Sequence, residues 1–317
     1  MMTIFPMHIW ALAIGWLLDL IIGDPEWFYH PVRLIGSWIS FMEAILRAHI
    51  KNLRVAAVLL TVSTVLLSMA ATWLVVWLLG LLGYWPQLVG MSLICWTCIA
   101  TKNLADEAMG VAKALRQGIA AGRKRVARIV GRDTQQLDER GVINATIETV
   151  AENLTDGVIA PMLYLAIGGP ILGMGFKAAS TLDSMVGYKN EKYIDLGWCS
   201  ARFDDLLNYI PARLAAVLMW ISAMLLRLNW RSAIAITLRD HANHLSPNCA
   251  WTESAAAGAL SIRLGGAHDY FGRRVIKPTI GDDIRPPEIA DIGKVNRLLY
   301  LTSVLMLIII LLMARSS

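Results

Sequence analysis

The chain has 317 residues, of which 56% are hydrophobic and only 17% charged, with a formal net charge of +5 and a mean hydropathy of +0.53. Soluble domains carry roughly 25% charged residues, so composition excludes an ordinary soluble globular protein. The fold class it implies is all-α: a single polytopic integral membrane domain over 1–317, with about four to six membrane helices, some broken or re-entrant, joined by polar cytoplasmic loops. The positive excess suits loops beside anionic membrane lipid. No basic run is interleaved with aromatics, so no nucleic-acid partner is expected. Of the four cysteines, Cys95 and Cys98 form a CxxC inside an apolar run and read as core thiols. Cys199 and Cys249 complete no disulfide framework.

In chain order, a first helix is expected over about 4–22. No basic residues precede its apolar run and no small-residue cleavage site follows, so it reads as a retained helix rather than a signal peptide. Next comes GDPEWFYHPVRLIG, where Pro25 and Pro31 stop the helix and Trp27, Phe28 and Tyr29 suit a membrane interface. Asp24, His30 and Arg33 gather three kinds of ionisable group in this turn, either as an interfacial anchor or as a ligand-facing loop. Leu34 to Ile50 is amphipathic and suits the membrane surface. Val55 to Thr101 contains no Asp, Glu, Lys, Arg or His and is broken at GLLGYWPQ, which predicts two membrane helices near 55–79 and 88–104. The polar stretch 105–145 holds the basic run Arg123 to Arg128. The positive-inside rule puts it, with Arg47, Lys51 and Arg54, in the cytoplasm. Within it, GRDTQQLD places an Arg and an Asp after a glycine and before a polar helix start.

Ionisable groups then meet membrane-type sequence. Glu148, Glu152 and Asp156 recur every fourth residue, which on a helix puts them near one face. Like charges so placed repel, so a bound cation or facing basic groups are expected. The span 157–176 is interrupted by Pro161 and by Gly168-Gly169-Pro170. Such breaks persist at membrane depth only where they are buried in protein or line a cavity. The polar segment 177–204 carries Lys177, Asp183, Lys189, Arg202 and Asp204, with Asp205 beside it. A marginal span, 205–227, contains Pro211 and Arg213. If both marginal segments span, the segment between them faces outside. If both re-enter, it faces the cytoplasm, which its lysines and arginines favour. The polar segment 229–296 holds His241, His244, Ser246, Asn248 and Glu253. Its histidine pair lacks a third metal ligand at familiar spacing. Gly265, Gly266 and Gly272 allow either close ligand approach or simple turns. A last helix is expected near 297–314.

No Walker A, GxGxxG, HExxH or GxSxG motif is present. The acids suit Mg²⁺ held together with substrate phosphates. The bases suit phosphate or carboxylate groups. This combination fits phosphoryl or activated-acyl chemistry. It equally fits a transporter with acids in broken helices, and a structural or signalling membrane protein stays open.

The blocks GDPEWFYHPVRLIG, VGRDTQQL, ETVAENLTDGVIAP, KAASTLDSMVGYKNEKY, SARFDDLLNYIPARL and RDHANHLSPNCAWTESAAAGAL, with LGG and YFG after them, resemble in order the CbiB/CobD family of adenosylcobinamide-phosphate synthases. The resemblance implies a bacterial inner-membrane enzyme with a cytoplasmic active site. It would join adenosylcobyric acid, an adenosylated corrinoid, to (R)-1-amino-2-propanol O-2-phosphate through an amide bond, using ATP and Mg²⁺. On that resemblance Glu148, Glu152, Asp156 and Asp183 are the catalytic candidates, with Glu148, Glu152 and Asp183 as magnesium ligands. Lys177, Lys189, Arg202, Asp204, Asp205 and Arg213 would bind substrate or phosphate. Asp24, His30 and Arg33 would close the pocket, and His244 and Asn248 would meet the corrin edge. Membrane lipid and other enzymes of the same pathway are the implied partners. AmpE-type regulatory proteins, which look distantly similar, and corrinoid or cobalt transporters are the rival readings.

Overall fold

The computed structural model describes residues 5–25, 27, 29–270 and 273–316, with backbone alone at 267–270, 273–277 and 316. Phe28 and Gly272 therefore lie outside the described residues. The helices are α1 (Met7–Ile22), α2 (Pro31–His49), α3 (Leu53–Leu81), α4 (Tyr84–Cys98), α5 (Thr101–Leu115), α6 (Ile119–Val126) and α7 (Glu139–Leu154). A π-helical turn (Thr155–Ile159) leads into α8 (Ala160–Val186), followed by α9 (Trp198–Leu207), α10 (Tyr209–Leu225), α11 (Trp230–Asp240) and α12 (Cys249–Leu260). An antiparallel hairpin, β1 (Leu264–Tyr270) and β2 (Arg273–Ile280), precedes α13 (Ile289–Ser316). Among the described residues four helical runs are long and apolar enough to cross a membrane: Leu53–Leu81, Tyr84–Leu115, Glu139–Val186 and Ile289–Arg315. The pair α9–α10, bent by 44°, makes a fifth if it counts as one broken span. The all-α, polytopic reading is thus met. The stretches read as polar loops, 105–145 and 229–296, instead carry α5, α6, α11 and α12 as well as the hairpin.

The chain forms two compact units. One comprises the chain through Ala100, Ala160–Asn208 and α13 from Leu307; the other comprises Thr101–Ile159 and Tyr209–Met306. In the first unit α1 lies against α4, closest at Gly15. A Cβ at Gly15 would come within 2.6 Å of Cys95 Cβ and 2.8 Å of the Trp96 nitrogen. Such close approach of backbones is what small residues allow between membrane helices. The Trp96 indole donates to the Gly23 carbonyl at 3.0 Å and ties down the end of α1.

The glycine-proline break in α8 has a local cause. Pro170 has no N–H, so the carbonyl of Ala166 loses its helical partner. The residue before a proline is also pushed out of the α region. Gly169 accordingly adopts φ 62°, ψ −158°, open to a glycine and strained for other residues. His8 Nε2 donates to the freed Ala166 carbonyl at 3.1 Å. Pro161, also expected to interrupt this segment, does not break α8; it follows directly on the wide π turn.

The turn after α8 docks on the corner between α2 and α3. Arg47 Nη2 donates to the Lys192 carbonyl at 2.7 Å, and Arg54 Nε meets Asp195 at 3.1 Å. Glu43 accepts from Arg47 at 2.9 Å and lies 3.7 Å from Lys192 Nζ. These two basic segments therefore lie on the same face of the unit.

In the second unit α12 is the central helix. Its alanines, Gly258 and Glu253 are all buried, so its sequence shows no single apolar stripe. A Cβ at Gly258 would sit 2.5 Å from the Ser232 carbonyl, which sets the closeness of α11. The start of α13 is held by Asp291, fully buried. Asp291 accepts from Arg285 at 2.7 and 2.8 Å, from Lys294 at 2.8 Å and from the Glu288 N–H at 2.9 Å. Both feet of the hairpin are positive-φ glycines whose N–H groups meet helical carboxylates. Gly265 donates to Glu148 Oε1 at 2.9 Å, and Gly281 donates to Asp240 Oδ2 at 2.8 Å.

The bond from Arg239, helped by the Gly281 N–H, holds the Asp240 carboxyl below the usual carboxylate range against the opposing effect of burial. A lowered folded-state pKa stabilises above the unfolded value, near 3.9, and that stabilisation is lost as pH falls through the folded value. Asp240→Asn is expected to lower the melting temperature at pH 7. The gap between variant and wild type should narrow as pH falls below the unfolded value, near 3.9, toward the lower folded one. A pH-independent gap in scans of the detergent-solubilised proteins would remove this role.

Candidate functional site

The second unit gathers its chemistry on α7, α12 and the loop before α7. That loop is built to hold one side chain. Arg123 Nε donates to the Leu137 carbonyl at 2.7 Å, Asp133 accepts from the Gln135 N–H at 3.0 Å, and Asp138 caps α7 by accepting from the Gly141 N–H at 2.7 Å. Part of the basic run is thus structural; Arg125 also pairs with Glu107 at 2.9 Å. The loop carries Arg132, whose side chain is only 6% exposed. Its Nη1 donates to Glu148 Oε2 at 2.9 Å. Its Nε and Nη2 are buried and find no acceptor among the described residues.

Arg132 lines a cavity of about 120 Å³ with Glu148, Thr149, Glu152, Asn153, His244 and Glu253. By that measure one water needs roughly 10–15 Å³, so the cavity has room for a small molecule. Glu148 is 13% exposed and has both oxygens engaged, one by Arg132 and one by the Gly265 N–H. It orients the arginine and anchors the hairpin. Glu152, one turn on, accepts from the Cys249 thiol at 3.1 Å. Burial, followed by the charges of Glu152, Glu253 and Asp156, pushes that thiol well above its ordinary pKa, so Cys249 is a neutral donor. His244 Nδ1 accepts from the Ser246 N–H at 3.0 Å, which puts the ring proton of the neutral form on Nε2.

The fourfold spacing therefore places Glu148 and Glu152 on one cavity. Asp156 falls in the π turn and does not line it, though its charge reaches Cys249. Arg213 and Asn248 do meet, with Arg213 Nη1 donating to Asn248 Oδ1 at 3.0 Å. However, the guanidinium stacks on the Tyr209 and Trp251 rings at 3.5 and 4.8 Å. The histidine pair is likewise engaged, His241 against the Trp251 ring at 4.6 Å and through Nδ1 with the Thr237 carbonyl at 3.1 Å. Sequence reasoning left out Arg132, Cys249 and Glu253 as site residues. The GRD block and the TES step inside an alanine-rich run were the available signals.

The first unit holds the remaining candidates. Asp24 and His30 approach to 3.5 Å at the α1–α2 turn. His30 Nδ1 caps α2 by accepting from the Val32 N–H at 3.1 Å. Burial pushes the His30 pKa down against the pull of Asp24, and the charges of Lys177 and Arg33 add to the lowering. Asp24, Arg33 and Lys177 thus all act on His30. Asp183 lies at the end of α8, while Lys189 and Arg202 are exposed. Asp204 accepts from the Asn208 amide at 3.0 Å, and Asp205 is half-buried beside it. Among the described residues no group of three or more His, Cys, Asp or Glu side chains is arranged to hold a metal ion.

These features define a polytopic helical membrane protein with a buried, half-paired arginine in a carboxylate-lined cavity. The chain belongs to the CobD/CbiB family, whose model, described as CobD/Cbib protein, matches residues 12–299. It is 51% identical over 300 residues to the cobalamin biosynthesis protein CobD of Pelobacter propionicus, covering 94% of this chain and 93% of that one. It is 47% identical to the protein of the same name from Listeria monocytogenes, covering 91% and 93%. It is 46% identical to the cobalamin biosynthesis protein CbiB of Salmonella typhimurium, covering 96% and 97%. No solved structure matches the chain.

Removing one member of a buried ion pair typically costs about 3–5 kcal/mol. Glu148→Ala, which strands Arg132 and frees the hairpin foot, is expected to destabilise the protein by that order. Gly265→Ala should also destabilise it, because φ is +72° and a Cβ would meet the Pro278 carbonyl at 2.6 Å. Thermal unfolding in detergent checks both, and a Glu148→Ala melting curve that overlays the wild type contradicts the first.

Proposed function

We propose that this chain is a membrane-bound enzyme of cobalamin biosynthesis, an adenosylcobinamide-phosphate synthase. It would form the amide between a propionate of adenosylcobyric acid and the amine of (R)-1-amino-2-propanol O-2-phosphate, with ATP as energy source. Family membership supports the pathway. The observation that carries the chemistry is the cavity pairing a half-free Arg132 with Glu152 and Glu253, which suits a small molecule bearing both an anion and an amine.

A free carboxylate is a poor electrophile. In the proposed reaction a propionate oxygen attacks the γ-phosphorus of ATP and releases ADP, giving an acyl phosphate. The amine nitrogen attacks the acyl carbon, the carbon–oxygen bond to phosphate breaks, and inorganic phosphate leaves. The amine reaches that step as an ammonium ion and must first lose a proton. We assign the proton acceptor as Glu152, which lines the cavity and is fixed by the Cys249 thiol. Asp24, His30, Arg33 and Lys177 in the first unit suit phosphate or propionate oxygens, and Asp183, Lys189, Arg202, Asp204 and Asp205 remain candidates there. The residues seen do not form a protein cage for a resident metal. A magnesium ion arriving on ATP needs only one or two protein carboxylates besides the phosphates, and Asp183 is the candidate in the first unit.

The bacterial inner membrane, with the active site on the cytoplasmic side, is the proposed location. The packing of Lys192 and Asp195 on Arg47 and Arg54 supports it, since it collects basic segments on one face. Association with other enzymes of the pathway follows from an amphiphilic substrate at a membrane. A corrinoid or cobalt transporter is the second reading, favoured by the break at Gly168 and Gly169.

Detergent-purified protein given adenosylcobyric acid, aminopropanol phosphate, ATP and Mg²⁺ is expected to yield the condensed amide and ADP by mass spectrometry. Absence of product from folded protein moves the assignment to transport. Glu152→Gln is expected to cut turnover about 10²–10⁴-fold, and unchanged turnover would remove Glu152 as the proton acceptor.

A further inference from the structure

Arg132 is the unusual group of this cavity. An arginine side chain that is 94% buried normally has its donors satisfied, because an unmade bond to a buried charged group is expensive. Here Glu148 takes only Nη1. The Nε–Nη2 edge, the side that grips two oxygens of one phosphate or carboxylate in parallel, is buried without an acceptor among the described residues, on a residue that lines the cavity. The backbone around it is pinned through Leu137 and Asp138, and Glu148 is itself fixed by the Gly265 N–H. The fork is therefore pre-set rather than waiting to be ordered.

The other lining groups restrict what the fork can bind. Glu152 and Glu253 stand on the same cavity. They disfavour a polyanion such as a nucleotide triphosphate and favour a cation beside the bound anion. We propose that this cavity is a subsite for a small zwitterion, with its phosphate bidentate on Arg132 Nε and Nη2 and its ammonium on Glu152 and Glu253. Identifying that zwitterion with the amino-alcohol phosphate rests on the amide-synthesis reading; the subsite itself does not. Arg132 is then the residue that selects a phosphorylated amine over a bare one. Glu152 holds the ammonium before taking its proton.

The test is equilibrium binding to the full-length protein in detergent, with no corrinoid and no ATP, by isothermal titration calorimetry. The probes are 1-amino-2-propanol O-2-phosphate, 1-amino-2-propanol, isopropyl phosphate, inorganic phosphate and metal-free ATP. The phosphorylated amine is expected to bind at least about tenfold more tightly than any other probe. Equal binding of the bare amine, or tighter binding of metal-free ATP, overturns the proposal without any variant. Arg132→Lys keeps the charge but loses the fork. It should weaken the phosphorylated amine and isopropyl phosphate about tenfold or more and leave 1-amino-2-propanol within about twofold. Glu152→Gln should weaken the two amines and spare isopropyl phosphate. Binding unchanged in folded Arg132→Lys overturns the assignment. Binding as expected with no condensation in the full assay defeats the synthase reading but not the subsite. Condensation by a protein that shows no phosphate-dependent binding defeats the subsite alone.

Discussion

A backbone carbonyl or amide with no partner costs several kcal/mol where water is excluded, and the polar side chains of this chain are placed to meet that constraint. Pro170 frees the Ala166 carbonyl, and His8 takes it. The end of α1 at Gly23 is met by the Trp96 indole. Arg285 donates to the carbonyl of Leu260, the last residue of α12. The two hairpin feet receive Glu148 and Asp240. At each of these points a side chain from another element closes the gap. The breaks in this membrane protein are held structures.

The same economy makes Arg132 informative. Arg285 and Arg239 also meet carboxylates, and both engage through more than one nitrogen, Arg285 on Asp291 and Arg239 on Asp240 and Asp282. Arg132 alone of these three keeps its bidentate edge without an acceptor, although it is the most buried. Other buried polar atoms also lack a hydrogen-bond partner among the described residues, but Arg132 carries two of them on one side chain that lines a cavity with Glu152 and Glu253. The π turn that follows α7, the helix carrying Glu148 and Glu152, adds to this, since such turns cluster at functional sites.

How much was legible in the sequence differs by segment. The charge-free run and its GLLGYWPQ break are seen as two helices, α3 close to the expected 55–79 and α4 starting and ending earlier than the expected 88–104, because the YWPQ step opens α4 and the chain breaks again after Cys98. The glycine-proline break also appears where expected. The segments taken for loops contain helices because helix formation there rests on packing rather than propensity. Buried on all sides, α12 has no amphipathic stripe to read, and α5 and α6 are stabilised against each other and α7. Of the site, Glu148 and Glu152 were legible as a pair on one helical face. The stacking of Arg213 was not legible, because its partners Tyr209, Trp251 and Asn248 meet it only in the folded unit.

By itself the sequence determined that this is a helical membrane protein of a recognisable family, since hydropathy and motif order are local and survive without coordinates. Tertiary structure alone decided which charges are neutralised and which are held ready. Arg132, Glu148, Glu152 and Glu253 come from a loop and two helices, and their charges matter only through distances of a few ångströms and the exclusion of water. No spacing along the chain records those distances.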